Sequence, residues 1–170
     1  MSTLAIALEE GFEEFDLELA SMRLTTAGHR LTLVGPRPGQ RVAGAHAATA
    51  AVLEASAAAL YPADFAGLLI PGGAAPDALR REPAMVDFVR GFVATGRPVA
   101  AIGRGARLLI EAEAVRGRAV TGAPGMRTDL VNAGAAWVDD GVVEDGNLVT
   151  ARGREDVALC CARFMQRLAA

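Results

Sequence analysis

Pro98-Val99-Ala100-Ala101-Ile102-Gly103-Arg104-Gly105-Ala106 is the stretch on which the reading of the fold turns. Pro98 to Ile102 is a short apolar run with the character of a buried strand, and a helix is expected over Ala106 to Ala114. Between them, Gly103-Arg104-Gly105 leaves room only for a tight turn. Such a strand–turn–helix junction lifts the turn residue above the sheet edge and points the N-terminus of the following helix at it, the plan of a nucleophile elbow. It does not complete a dinucleotide-binding fingerprint, because Leu108 stands where the third glycine belongs.

Working outward, the same alternation recurs. Thr3 to Leu8 reads as a strand ending at Gly11, and Phe15, Leu19, Met22 and Leu24 fall at helical spacing before Gly28. Leu31 to Val34 and Gly67 to Ile70 are further apolar strands, the second followed at once by Pro71-Gly72-Gly73. Arg41 to Leu53 is consistent with a hairpin at the sheet's edge. Pro83 opens a helix whose inner face carries Met85, Val86, Val89, Phe92 and Val93 and which Gly96 closes. Val142 to Thr150 reads as a strand pair turned at Asp145-Gly146, and Asp156 to Leu168 as a closing helix. Strands alternating with helices imply an α/β fold, a parallel sheet covered on both faces, here as one domain over residues 1–170. Ligands in such sheets bind beyond the carboxyl ends of the strands, which directs attention to the loops Glu9–Asp16, Pro71–Asp77 and Gly103–Gly105.

Composition narrows the chemistry. The chain has 170 residues, 52% of them hydrophobic, and a formal net charge of −3, which points away from nucleic acid and acidic membranes. No apolar run approaches the length of a membrane span, and the N-terminus lacks the basic start of a signal peptide, so a cytoplasmic location is expected. All 17 basic residues are Arg. Without lysine, a P-loop lysine, a Schiff base and a Ser-Lys dyad are excluded, and arginine cannot accept a proton as a base. Cys160 and Cys161 are adjacent, a spacing that opposes a disulfide between them, and only His29 and His46 accompany them. Neither metal nor cofactor is expected.

Beyond the elbow, Gly11-Phe12-Glu13-Glu14-Phe15-Asp16, Leu69-Ile70-Pro71-Gly72-Gly73, Gly117 to Thr121, Asn132 to Asp139 and Asp145 to Arg152 occur in an order and spacing that resemble the ThiJ/PfpI superfamily across nearly the whole chain. That resemblance implies a flavodoxin-like three-layer α/β/α sandwich with a mostly parallel central sheet and a small edge hairpin. The superfamily's elbow usually reads Ala-x-Ile-Cys-His-Gly, so its nucleophilic Cys falls on Gly103 and its His on Arg104. The acid beside the Cys falls on Asp16, where the family usually has Glu. A carboxylate supplied by a neighbouring subunit falls on Asp77, and the main-chain oxyanion donors on Gly73 and Arg104. Glycine has no atom with which to attack a carbonyl. A helix N-terminus, the Gly72 and Gly73 amides and a permanent cation are left, the makings of an anion pocket.

The resemblance therefore implies a family member without Cys-dependent catalysis, a stress-related protein holding a small anion or metabolite at Asp16, Gly72, Gly73, Gly103 and Arg104. The alternative is a rewired hydrolase or lyase acting on a small carbonyl or amide, with Asp16 as base and Arg104 as electrophile. A homodimer or higher homo-oligomer is implied either way. Individual residues carry open alternatives. Arg104 either binds an anion or pairs with Asp16, and Asp77 either caps a helix or reaches a neighbouring subunit. Glu13 and Glu14 complement a helix dipole, Cys160 and Cys161 are inert packing, and neither histidine has a carboxylate near it in sequence to orient it as a base.

Overall fold

The computed structural model describes residues 1–170. Eleven strands and six α-helices follow in chain order: β1 (Thr3–Ala7), α1 (Glu14–Thr26), β2 (Arg30–Gly35), β3 (Arg41–Ala43), β4 (Ala50–Val52), β5 (Ala55–Ser56), β6 (Gly67–Ile70), α2 (Ala75–Leu79), α3 (Pro83–Ala94), β7 (Val99–Ile102), α4 (Ala106–Glu111), β8 (Ala119–Val120), α5 (Arg127–Asn132), β9 (Ala136–Trp137), β10 (Val142–Asp145), β11 (Leu148–Ala151) and α6 (Val157–Leu168). Seven strands form the central sheet in the order β10-β11-β7-β6-β1-β2-β5. All its pairings are parallel except β10 with β11, which meet across the turn at Gly146-Asn147. The hairpin expected at residues 41–53 forms as its own two-stranded sheet of β3 and β4.

The period-two pattern of each strand divides the core into two layers. Leu4, Ile6, Leu69, Ala100, Ile102 and Val149 face α1 and α6. Ala5, Ala7, Leu68, Ile70, Val99 and Ala101 face α3 and α4 on the opposite side. Both faces of β6 and β7 are buried, which is why those strands are apolar throughout rather than alternating.

Two helices depart from the reading of the sequence. The buried stripe of α1 is Asp16, Leu17, Ala20 and Leu24, while Met22 is 58% exposed. Of the expected residues, Leu24 is buried and Phe15 and Leu19 pack against the core, so Met22 alone falls outside it. Helix α4 stops at Glu111, short of Ala114, because the chain turns into a left-handed conformation at Glu113 (φ +56°). The sequence reading also left out β5, α2, α5 and the small parallel sheet of β8 and β9, elements of two to six residues too short to show a period.

The sheet's switch point lies between β6 and β1, where the strand order reverses. Phe164 anchors α6 over this region. Its ring is fully buried and lies against Gly67, where a Cβ would come within 2.7 Å of it. Phe164→Ala is expected to cost about 3–5 kcal/mol by opening a cavity that the neighbouring strands cannot close. Denaturant unfolding should show a lower midpoint at unchanged slope, and a loss under about 1 kcal/mol would mean the helix repacks.

Candidate functional site

A cleft of about 540 Å³ opens at the carboxyl ends of β1, β6, β7 and β11. Its floor is the junction after β7. Gly103 sits there at φ +56°, a conformation that costs most side chains strain and glycine little, and the chain enters a 3₁₀ turn before α4. A Cβ on Gly103 would meet nothing closer than the Arg152 carbonyl oxygen, at 3.7 Å. The elbow thus has the backbone geometry and the room for a side chain, and carries none. Arg104, next along, is exposed at the cleft and forms no ion pair or side-chain hydrogen bond within the chain.

The loop after β6 forms one wall. The Gly72 carbonyl accepts a hydrogen bond from the Glu13 amide at 3.0 Å, and the Ala74 amide donates to Gly11 O at 2.8 Å, which knits this loop to the one after β1. Gly73 takes φ +83° at the crossing, where a Cβ would lie 2.6 Å from the Glu13 nitrogen. Its own amide has no acceptor within the chain. The Gly72 amide, by contrast, is committed: it donates to Asp16 Oδ2 at 2.9 Å. Of the two amides expected to face an anion, only that of Gly73 is unengaged.

Asp16 reaches the cleft from α1 with 2% of its surface exposed, and its Oδ1 has no hydrogen-bond partner. Burial pushes its carboxyl from the ordinary 3.8 up to about 6, with Glu13 adding to the rise while the Gly72 hydrogen bond and the Arg154 charge oppose it. The cation acting on Asp16 is therefore Arg154. The pair between Asp16 and Arg104 that the sequence left open does not form, because Arg104 extends outward from the elbow.

Arg152 and Arg154 were missed. Both follow β11, which lies parallel beside β7 and so delivers its carboxyl end to the same rim. The signal was present in the segment Asp145 to Arg152, but the reading did not establish on which side of β7 that strand pair would dock. The Arg154 guanidinium lies 4.1 Å from the centre of the Phe15 ring, and Arg152 is 3.4 Å from Asp139. His46 also lines the cleft, from the loop between β3 and β4, with Nε2 3.9 Å from Glu13 Oε1. The fold thus brings to His46 the carboxylate that sequence neighbours did not supply.

Other candidates lie elsewhere. Asp77, on α2, pairs with Arg107 and lies 3.8 Å from Arg80; it caps no helix and does not line the cleft. Glu14, in the first turn of α1 as expected of a residue that complements the helix dipole, also accepts the Ala48 and Thr49 amides at 2.8 and 3.0 Å and so fastens the β3–β4 loop. Cys160 and Cys161 are free thiols buried on α6. Burial raises both, Cys161 to about 11 and Cys160 further, so neither is a thiolate at neutral pH.

The model of the DJ-1/PfpI family matches residues 2–167. Among curated relatives, "Protein/nucleic acid deglycase 2" of Escherichia coli is 36% identical over 155 residues, 91% of this chain and 90% of that protein. "General stress protein 18" of Bacillus subtilis is 37% identical over the same length and shares. Among solved structures, Drosophila melanogaster DJ-1beta superposes with a TM-score of 0.90 at 29% identity, covering 99% of this chain and 91% of that one. A two-domain protein of Anabaena variabilis with DJ-1/ThiJ/PfpI-like and ferritin-like domains reaches 0.97 at 31% identity. That match covers 99% of this chain but spans about half (48%) of the two-domain protein.

The raised Asp16 carboxyl has a consequence for stability. Its neutral form is favoured by folding, so the contribution is fully present below the ordinary value near 3.8 and is lost as pH rises through about 6. Asp16→Asn should therefore be more stable than the wild type at pH 8, by roughly 2–3 kcal/mol, with the two curves converging towards pH 4. Equal stability at pH 8 in chemical denaturation would show that the carboxyl is not desolvated. The buried thiols make a second test. Native protein should take no iodoacetamide label at neutral pH, whereas Gly103→Cys should take one per chain; labelling of Cys160 or Cys161 in the folded protein would contradict their burial.

Proposed function

This chain belongs to the DJ-1/PfpI family, and on that premise we propose that it binds a small anion or anionic metabolite at the elbow without the family's Cys-dependent catalysis. The observation that carries the reading is Arg104. It is a permanent cation beside an elbow residue with no side chain, and nothing in the chain neutralises it. The unengaged Gly73 amide, the N-terminal turn at Gly103–Gly105, and Arg152 and Arg154 on the far rim support the same ligand charge. Gly103 offers no nucleophile and Arg104 no base, so the pocket retains the binding half of an elbow site and lacks the reacting half. A role in stress physiology draws support from a relative named as a general stress protein. Assembly as a homodimer or higher homo-oligomer, and a cytoplasmic location, belong to the same proposal.

One observation favours the other reading, a rewired hydrolase or lyase acting on a small carbonyl or amide. A carboxyl that titrates near 6 is suited to general base work, and Arg104 would then polarise the substrate oxygen. Loss of turnover in Asp16→Asn with folding intact is the mark of that mechanism.

Titration with sulfate and with acetate, followed by amide shifts, tests the binding reading. The Gly73, Gly103 and Arg104 amides should move saturably, and Arg104→Ala should weaken the anion by about tenfold or more, the loss expected of a charge-assisted contact. Methylglyoxal and peptide substrates should not be consumed above the blank. Robust turnover abolished by a substitution in the cleft would overturn the proposal, as would anions that leave these amides unmoved.

A further inference from the structure

The elbow cleft does not end at its far rim. Ala123, Pro124 and Arg152 line it and also line a second recess of about 190 Å³, so the two hollows adjoin across these residues. The segment between them is held to the elbow itself. The Ala123 amide donates to Gly103 O at 3.2 Å, the Met126 amide closes a turn onto Ala123 O at 3.0 Å, and the Thr121 amide donates to Thr150 Oγ1 at 2.9 Å. The recess therefore keeps a fixed place relative to Gly103.

Its unengaged polar groups are donors. Arg127, the first residue of α5, lies with its guanidinium 5.1 Å from the centre of the Trp137 ring. Stacking of this kind fixes the plane of an arginine and leaves the N–H groups at its edge available to an oxyanion. Arg127 is exposed and has no carboxylate partner within the chain. The Trp137 indole N–H donates to nothing in the chain, nor does the amide of Gly122, a buried residue lining the same recess. The one acid here, Asp139, lies 3.4 Å from Arg152 and so already faces a cation. A cationic ligand group would meet two arginines for a single carboxylate. An anionic group finds Arg127 unopposed.

Resting on the anion-binding reading above, we infer that the ligand carries two separated anionic groups, one held at the elbow by Arg104 and the Gly73 amide, the other held in the recess by Arg127. Arg152 is common to both hollows and lines the connection. The chemical class is an extended dianion with an oxyanion at each end, such as an α,ω-dicarboxylate. Binding of the first group presents the second at high local concentration, so a ligand long enough to span gains over either group alone, and one too short gains nothing. Arg127 is thereby a specificity residue that selects for ligand length.

The test uses the full chain at constant ionic strength and at a pH where every carboxylate of the ligand is ionised. Acetate is compared with α,ω-dicarboxylates of increasing length, malonate upward, and with sulfate as a compact dianion. Read at the Gly73 and Gly103 amides, affinity in the series should pass through a maximum at an intermediate length, about tenfold or more tighter than acetate. Trp137, the only tryptophan of the chain, should change its fluorescence at the same midpoint for that best member, a readout that requires no variant. Arg127→Gln should return the best dicarboxylate to the affinity of the shortest, while sulfate at the elbow weakens by less than about threefold, the share owed to the general field. A series flat in length, a gain that survives Arg127→Gln, Trp137 fluorescence that stays still or follows a separate midpoint, or sulfate weakened as much as the best dicarboxylate each overturns the inference. Elbow amides that respond to acetate and sulfate beside a flat series would leave the anion site standing and remove only the second group. Amides that respond to none of these anions would remove the anion-binding reading as well.

Discussion

The hydrogen bond from the Gly72 amide to Asp16 Oδ2 ties together the parts on which the cleft depends. It links the loop after β6 to α1, while the return bond from the Glu13 amide to the Gly72 carbonyl closes the connection in the other direction. With both groups of Gly72 occupied, the chain has only Gly73 with which to cross the first loop, and the left-handed turn there leaves its amide unengaged. The same bond holds a carboxyl in a place where solvation is lost. Desolvation outweighs the stabilisation of one backbone donor, and the carboxyl therefore titrates above its ordinary range despite being hydrogen-bonded. Position and protonation of Asp16 thus have a single origin, the approach of α1 to the end of β6.

Much of this architecture is legible in the chain because burial on both faces writes itself plainly into a strand. Gly67–Ile70 and Val99–Ile102 are continuous apolar runs, and the glycines that follow them mark where the sheet hands over to loops. Asp16, Gly72, Gly73, Gly103 and Arg104 meet in one cleft because each follows or faces such a strand end. What could not be read depended on docking rather than on pattern. Arg152 and Arg154 reach the rim only because β11 adds in parallel beside β7, and no local feature of Leu148–Ala151 specifies its neighbour. His46 arrives through a hairpin fastened by Glu14, a contact spanning more than thirty positions. The resemblance gives Asp77 to a neighbouring subunit's site; within its own chain it pairs with Arg107 and Arg80 and does not line the cleft.

The absence of lysine shapes the electrostatics of the cleft. Its arginines hold their charge throughout the accessible pH range, so they supply a fixed positive background. Against that background, burial moves Asp16 towards neutrality. The two cysteines, which elsewhere might have added a titrating thiol, are withdrawn behind it by burial.

The bare elbow at Gly103 also has a bearing on time. A cysteine in such a position keeps a chemical record, since it can be oxidised stepwise and, past the sulfenic state, does not readily return. Glycine cannot be alkylated, oxidised or acylated at its side, so this elbow has one covalent state throughout the life of the molecule. The elbow residue itself therefore keeps no record of what the cleft has met.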